Sequence, residues 1–592
     1  MLVKGGKQKL KVKLKGENFK SDYVASLLRA RGIENVELFL NPDESCLQSY
    51  RDLENIEEGI KLIKAIPPKG RVGLIVDADV DGFTSAAIIY QYLLRIYPNL
   101  NIHSYIHEGK GHGLSEHWED IRDENYDAII IPDAATNDSE FAREIKCPIL
   151  ILDHHIAEST DFASNMIVIN NQISPKYRNK FLSGAGVVYQ FCRALDEEFS
   201  VNYADEFIDL AAMGVCGDMM SGLEAENQYI WKEGFNKIKN YFFLSLARKQ
   251  GYSITGKMNP SDEDIIDALN PTSVAFYIVP LINAMVRMGT MEEKQRMFTA
   301  FVDGYKLIPC NKRGAKGTLE EAAIESTREC VNARSHQNKA KEEAVARLEQ
   351  KIYKHDLLEN QILFIRLDDD DNFPAELNGL VAMMLSQKYK RPTIVARLND
   401  EGYIRGSIRG LNNSELTSFK NYLQSTDLFE YVQGHDNAAG CSIKKSDLPK
   451  LHERANIDLA QYDFGSDYYE VDFERQAMND DLTNLITEIG NYKFIWTTSN
   501  DEPLIYIKDL HFKKSEIQVL GKDGATFKVV KNGVAYMKFF AKDLIEEIKA
   551  LPGEDVKIEV VGKANLNEWG GRVTPQIFVE KIDIKEDSLL DF

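Results

Sequence analysis

The sequence predicts an α/β protein: a doubly wound parallel-sheet domain, a long linking helix, a second, smaller α/β domain and a C-terminal β-barrel. Three observations lead there. Short apolar runs alternate with helical periods across residues 71–218, as strands must when helices cover both faces of their sheet. A charged helical period rich in Ala, Glu, Lys, Arg and Gln fills 319–358, and a second strand–helix–strand pattern follows over 361–397. Near the C-terminus the pattern changes to short alternating strands, as in a small barrel. At 592 residues the chain is too long for one core. Bounds are expected at 1–70 (helical, basic), 71–318 (first α/β domain with a helical extension), 319–360 (linking helix), 361–460 (second α/β domain) and 461–592 (barrel and acidic tail).

Composition narrows the class. Hydrophobic residues at 44% and charged residues at 28% fit globular domains, and no apolar run reaches the length expected of a bilayer span. Seven lysines fall in the first twenty residues with no apolar stretch behind them, so no secretory signal is expected. The seven cysteines are scattered singly, which argues for a reducing cytoplasm and against a zinc ribbon or disulfide framework. A formal charge of −21 disfavours wrapping nucleic acid over the whole surface but leaves room for a local basic groove.

Taken in order, helical stretches over 23–33 and 52–66 precede Pro67-Pro-Lys-Gly70, which breaks the chain before the first strand. That strand opens Val72-Gly-Leu-Ile-Val-Asp-Ala-Asp-Val-Asp-Gly-Phe-Thr-Ser85, and a helix is expected from 84. Asp77, Asp79 and Asp81 crowd the strand's carboxyl end, where open α/β sheets bind ligands. Carboxylates this close repel unless a cation neutralises them. An EF-hand loop shares Asp-x-Asp-x-Asp-Gly but needs a bidentate Glu at its twelfth position, which here is Ile88, and a helix where this chain has a strand. A solvated acidic turn is the plain alternative.

Strands over 101–106, 127–131 and 148–152 continue the sheet. Two of them end in acid: Asp133 follows Ala128-Ile-Ile-Ile-Pro, and Asp153-His-His155 follows Ile149-Leu-Ile-Leu. Parallel strands share one carboxyl edge, so these groups converge with the opening turn. Gly214-Val-Cys-Gly-Asp218 adds a fourth acidic contribution. A His-His pair alone is commonly a polar turn; four acid or histidine clusters point to a metal site.

The order Asp-x-Asp-x-Asp-Gly, strand-end Asp, Asp-His-His and later Gly-Asp resembles the DHH phosphoesterase superfamily, and the whole chain resembles its RecJ-like exonucleases of single-stranded DNA. Leu28-Arg-Ala-Arg-Gly-Ile33 with Phe39-Leu-Asn-Pro42, Ser183-Gly-Ala-Gly-Val-Val188 and Pro280-Leu-Ile-Asn-Ala-Met-Val-Arg287-Met-Gly289 extend the match. The resemblance implies metal ligands at Asp79, Asp81, Asp133, His154 and Asp218, with Asp133 bridging two ions and Asp77 as an additional ligand. The superfamily often has a histidine a few residues before the Asp pair; here the strand offers Gly73 to Val76, so that ligand comes from Asp77 or is absent. His155 is expected to face the scissile phosphate and Asp153 to hold the histidine ring. Mixed carboxylate and imidazole donors suit two divalent cations, Mn²⁺ or Mg²⁺, better than a thiolate-selecting metal.

In the second domain, Arg405-Gly-Ser-Ile-Arg409 alternates on a strand, so Arg405, Ser407 and Arg409 share one face suited to phosphate oxygens. Gly434-His-Asp-Asn-Ala-Ala-Gly440 offers backbone N–H groups to an anion beside His435. An ordinary exposed strand and a tight helix start are the plain readings. Together the two motifs resemble the DHH-associated substrate-binding domain, with Gln433 departing from the family's usual Gly. Asn565-Leu-Asn-Glu-Trp-Gly-Gly-Arg572, with Gln576 beyond, is similar to the last hairpin of the family's OB-fold. Phe512, Phe527, Tyr536 and Trp569 alternate with Lys508, Lys513, Lys528 and Lys538; most of these aromatics are expected in the core, and Trp569, in a turn, is the stacking candidate. The tail Lys585-Glu-Asp-Ser-Leu-Leu-Asp-Phe592 reads as solvated, with Leu-Leu and Phe592 as anchors if it binds a partner.

The implied activity is metal-dependent 5′-to-3′ hydrolysis of single-stranded DNA to 5′-mononucleotides in repair, recombination or replication. Arg287, Ser407, Arg409 and His435 would hold the terminal phosphate and neighbouring backbone. A single-strand-binding protein, a helicase or another replication or repair protein is the expected partner class, and a monomer without membrane attachment the expected state. Two rivals stay open. A phosphodiesterase of oligoribonucleotides or cyclic dinucleotides would not need the barrel, and a non-catalytic scaffold should have lost ligands this chain keeps.

Overall fold

The computed structural model describes residues 10–108, 111–368, 371, 373–521, 524–569 and 572–585. Most of the lysine-rich start and the Leu-Leu and Phe592 anchors of the tail lie outside the described residues. The chain divides into two compact units, one of residues 31–337 with 493–501, the other of 1–30, 338–492 and 502–592.

In the first unit, β1 (Arg71–Val76), β2 (Asn101–Ile106), β3 (Ala128–Pro132), β4 (Ile149–Asp153) and β5 (Met166–Asn170) form a parallel sheet in the order β2-β1-β3-β4-β5. Successive side chains alternate across the pleat. Leu74, Val76, Ile130, Leu150 and Leu152 enter one core with the helices α1 (Val80–Ile96), α2 (Gly184–Phe199) and α3 (Ile208–Gly217). Ile75, Ile129, Ile131, Ile149 and Ile151 enter another with Leu114, Ile121, Ala142 and Ile145. Both faces of the inner strands are covered, which is why β1, β3 and β4 read as apolar runs.

Two differences from the sequence reading matter for the site. The edge strand β5 was not expected, and α1 starts at Val80 instead of residue 84. Asp79 is the N-cap of α1: its side chain accepts from the Gly82 N–H at 3.0 Å, satisfying a helix-start donor and drawing Asp81 into the first turn. Farther on, α4 (Val279–Met288) completes a stretch, Pro271–Met288, apolar and long enough to cross a membrane by composition alone. Its Val274, Ile278, Ile282 and Met285 are buried in the protein core.

The helix α5 (Ala322–Lys354) falls where a charged linking helix is expected and carries the chain from the first unit into the second. There β6 (Leu363–Leu367), α6 (Asn378–Tyr389), β7 (Thr393–Leu398), β8 (Tyr403–Arg409), α7 (Phe419–Ser425), β9 (Phe429–His435) and β10 (Ala438–Lys444) build a five-stranded sheet ordered β9-β10-β8-β7-β6. Its β6–β7 pair is parallel and its other ladders antiparallel. The segment 434–440 is therefore neither a helix start nor an open loop of N–H donors. It is a hairpin around Asp436 and Asn437, with Gly434 opposite Ala439 and Gln433 opposite Gly440, because the small residues of β10 continue as a strand.

The last strands are β11 (Phe473–Gln476), β12 (Leu504–Lys513), β13 (Gln518–Leu520), β14 (Thr526–Lys531), β15 (Val534–Lys538), β16 (Asp555–Trp569) and β17 (Arg572–Lys585). They pair in the order β11-β12-β16-β17-β15-β14-β13. Among the described residues no ladder joins β11 to β13, so hydrogen bonds do not close the expected barrel.

Candidate metal centre

Strand order places the acids. In a β2-β1-β3-β4-β5 sheet the connections diverge between β1 and β3, leaving a crevice at their carboxyl ends. Asp77 follows β1 directly and Asp133 follows β3, while Asp153 ends β4 with His154 and His155 beyond. Asp81, on the first turn of α1, points at the start of α2: it accepts from Ser183 Oγ at 2.9 Å, from the Gly184 N–H at 2.7 Å and from the Ala185 N–H at 3.1 Å. A carboxylate here meets the positive end of the α2 dipole. Backbone must come this close, and only glycine permits it. A Cβ on Gly184 would overlap Asp133 Oδ1, and one on Gly214 would overlap Asp81 Oδ1.

His154 Nε2 faces Asp133 Oδ1 at 3.2 Å, Asp218 Oδ2 at 3.5 Å and Asp81 Oδ2 at 3.9 Å. Burial holds His154 below the usual histidine range, so its imidazole is neutral and offers a lone pair. Burial also pushes Asp79 up to about 6 and Asp218 up to about 8, with neighbouring aspartates adding to both. Asp133 is driven well above the carboxylate range for the same reasons, burial first and then Asp81 and Asp79. Its Oδ1 is buried with no hydrogen-bond donor. The donors gather as Asp81, His154 and Asp218 on one side and Asp77, Asp79 and Asp133 on the other, with Asp133 beside both. An unsatisfied buried oxygen among crowded carboxylates and one neutral imidazole is the donor set of hard divalent cations.

Asp153 behaves differently. Burial alone would raise it, but the hydrogen bond from His155 and the positive charge of that ring, with a further hydrogen bond from Thr136, hold it well below the usual range. Its Oδ1 accepts from His155 Nδ1 at 2.8 Å and from the His154 N–H at 2.7 Å, and its Oδ2 from the Thr136 N–H at 3.0 Å. The same hydrogen bond lifts His155 to about 9, which makes it an imidazolium on a half-exposed ring. A cavity of about 240 Å³ opens beside it, lined by His112, Ala134 to Asp138, Asp153 and His155.

The sequence reading missed the partners of Asp77. His112 Nδ1 lies 2.7 Å from Asp77 Oδ2, the Gly113 N–H donates to Oδ1 at 3.3 Å, and His107 Nε2 stands 3.8 Å from Oδ1. The one available signal was Gly111-His-Gly113 shortly after β2. Arg287, on α4, is held below its usual range by burial while Asp79 opposes the shift.

The remaining candidates belong to the other unit. Arg405, Ser407 and Arg409 lie on one face of β8, opposite the buried Ile404 and Ile408. Arg405 is paired loosely with Glu401 at 3.8 Å, and Arg409 Nη1 donates to the Ile408 carbonyl at 2.7 Å. Gly434 and His435 end β9, where Lys420 Nζ, unforeseen, donates to the Gly434 carbonyl at 3.0 Å. Phe512, Phe527 and Tyr536 are buried, as expected of core; the side chain of Trp569 lies outside the described residues. Phe540, not singled out from sequence, is 96% exposed.

This edge of paired carboxylates and histidine on a parallel sheet defines a phosphoesterase of the DHH class, and the profile of the DHH family N-terminal domain matches residues 71–215. The chain belongs to the DHH family, in its RecJ-like branch. It is 35% identical over 586 residues to YorK, a putative SPbeta prophage-derived single-strand DNA-specific exonuclease of Bacillus subtilis, covering 97% of this chain and 98% of that one. Against the single-stranded-DNA-specific exonuclease RecJ of the same organism identity is 25%, over 96% of this chain and 69% of RecJ. Among solved structures, RecJ in complex with Mn²⁺ from Thermus thermophilus superposes with a TM-score of 0.70 at 20% identity, covering 98% of this chain and 80% of that one.

Proposed function

We propose that this chain is a divalent-cation-dependent exonuclease that hydrolyses single-stranded DNA from its 5′ end and releases 5′-mononucleotides. The observation that carries the reading is the buried, donorless Asp133 Oδ1 set between two groups of donors. Asp77, Asp79, Asp81, Asp133, His154 and Asp218 would hold two cations, Mn²⁺ or Mg²⁺, which supply charge neutralisation of the phosphate and an acidified water. The other groups act directly on the strand. His155, fixed through Nδ1 by Asp153, presents its remaining N–H to a phosphate oxygen and favours the charge that builds there. Arg287 adds positive charge on the same side as Asp79. In the second unit, Arg405, Ser407 and Arg409 form a phosphate-binding strand face, with Lys420 and His435 contributing at the neighbouring hairpin. Phe540 supplies an exposed ring for base stacking.

The test is incubation with Mn²⁺ and single-stranded DNA labelled at one end or the other, comparing the wild type with Asp133→Ala. The expected result is early release of labelled mononucleotide from the 5′ end alone, absent in the variant. Release from the 3′ end first would overturn the polarity, faster turnover of a dinucleotide would overturn the substrate class, and no cation-dependent release would overturn the reading entirely.

A further inference from the structure

His107 lies at the same carboxyl edge as the acids, just past β2, the strand beside β1. It is 1% exposed. Its Nδ1 lies 2.5 Å from Glu116 Oε2. In a neutral ring whose Nδ1 donates to an accepting carboxylate, the lone pair sits on Nε2. That Nε2 is buried without a hydrogen-bond partner and stands 3.8 Å from Asp77 Oδ1. Two donors on one octahedral cation, with bonds of about 2.1 Å, lie about 3 to 4 Å apart. His117 packs on the ring at 4.7 Å between centroids, and Lys294 Nζ donates to the His107 backbone carbonyl at 3.0 Å.

We propose that His107 Nε2 is a ligand of the cation held by Asp77, with Glu116 as the carboxylate that fixes its tautomer and aim. The arrangement Glu116–His107–cation repeats the carboxylate–histidine pairing that orients metal-bound imidazoles. It brings the imidazoles of the centre to two, His154 on one side and His107 on the other. A buried imidazole with one nitrogen anchored and the other bare is otherwise costly, because its lone pair loses water and gains nothing.

The inference rests on the metal-centre reading, and the experiment separates the two. Mn²⁺ binding is measured by calorimetry on the full-length wild type and on His107→Ala, His107→Asn, Glu116→Gln and His154→Ala, alongside the ¹⁴N electron-spin-echo modulation of bound Mn²⁺. Melting in EDTA checks that each variant folds. The expected wild-type signal is that of two coordinated imidazoles, falling to one in either His107 variant. Mn²⁺ affinity at one site should fall about 10- to 100-fold in Glu116→Gln and by at least that in the His107 variants. Glu116 is partly exposed, so Glu116→Gln decides if the His107 variants do not fold. Unchanged affinity and modulation in the His107 variants and Glu116→Gln, with a loss in His154→Ala, would overturn this inference alone. No change in any of the four would overturn the metal centre with it.

Discussion

Asp133 is where backbone and charge conflict most. It has a positive φ of 67°, a conformation few side chains tolerate and Asp more readily than most, and it turns a carboxylate into a buried cluster. Without a cation, this residue together with Asp79 and Asp218 favours its protonated form in the folded state. Their folded pKa values lie above the unfolded carboxylate value near 3.9. The folded protein therefore binds more protons than the unfolded one, and stability of the cation-free protein falls as pH rises from about 4 through about 6 for Asp79 and about 8 for Asp218. Divalent cation should remove that slope. Thermal melts in EDTA and in Mn²⁺ should differ little at pH 5.5 and clearly at pH 8; a gap that stays constant or narrows contradicts the cage. Asp133 was legible in the sequence because it closes an apolar run. His107 and His112 were not, because their role depends on β2 lying beside β1, and that order is a property of the sheet.

At the scale of elements, the site is built where the starts of α1 and α2 and the end of α3 approach the strand ends. The strands β1, β3 and β4 were readable because burial on both faces leaves them almost uniformly apolar. The start of α1 was not, because Asp79 and Gly82 look like loop residues until the side chain of one is seen capping the N–H of the other. The glycines at 184 and 214 stand in the sequence only as parts of motifs; their reason is steric and appears when Asp133 and Asp81 are seen against them. Gly214→Ala is accordingly expected to displace Asp81. The protein should remain helical by circular dichroism yet bind Mn²⁺ at least about 10-fold more weakly, in keeping with the cost of disturbing ligand support. Unaltered Mn²⁺ affinity would show that Asp81 has more room than the geometry allows. The hairpin at 434–440 shows the opposite failure: glycine and alanine suggested a loop, but strand partners on both sides of β10 claimed them.

At the scale of the whole molecule, the parallel sheet separates the proposed ligands along the chain while gathering them in space. Asp77 and Asp218 are 141 positions apart. An unfolded chain can offer a cation only Asp77, Asp79 and Asp81 as near neighbours; Asp133, His154 and Asp218 join them after several crossovers have formed. Loops of that length close late, when most of the surface is already buried. The centre thus acts as a latch, set after the door has shut. Cation should therefore leave the refolding rate nearly unchanged and slow unfolding, since an interaction absent from the transition state appears in the unfolding limb. Stopped-flow unfolding and refolding with Mn²⁺ or EDTA would read this directly, and faster refolding with Mn²⁺ would mean that the acidic edge assembles early. A nuclease latched in this way would resist unfolding longest when loaded for work, and give way soonest when its cations are withdrawn.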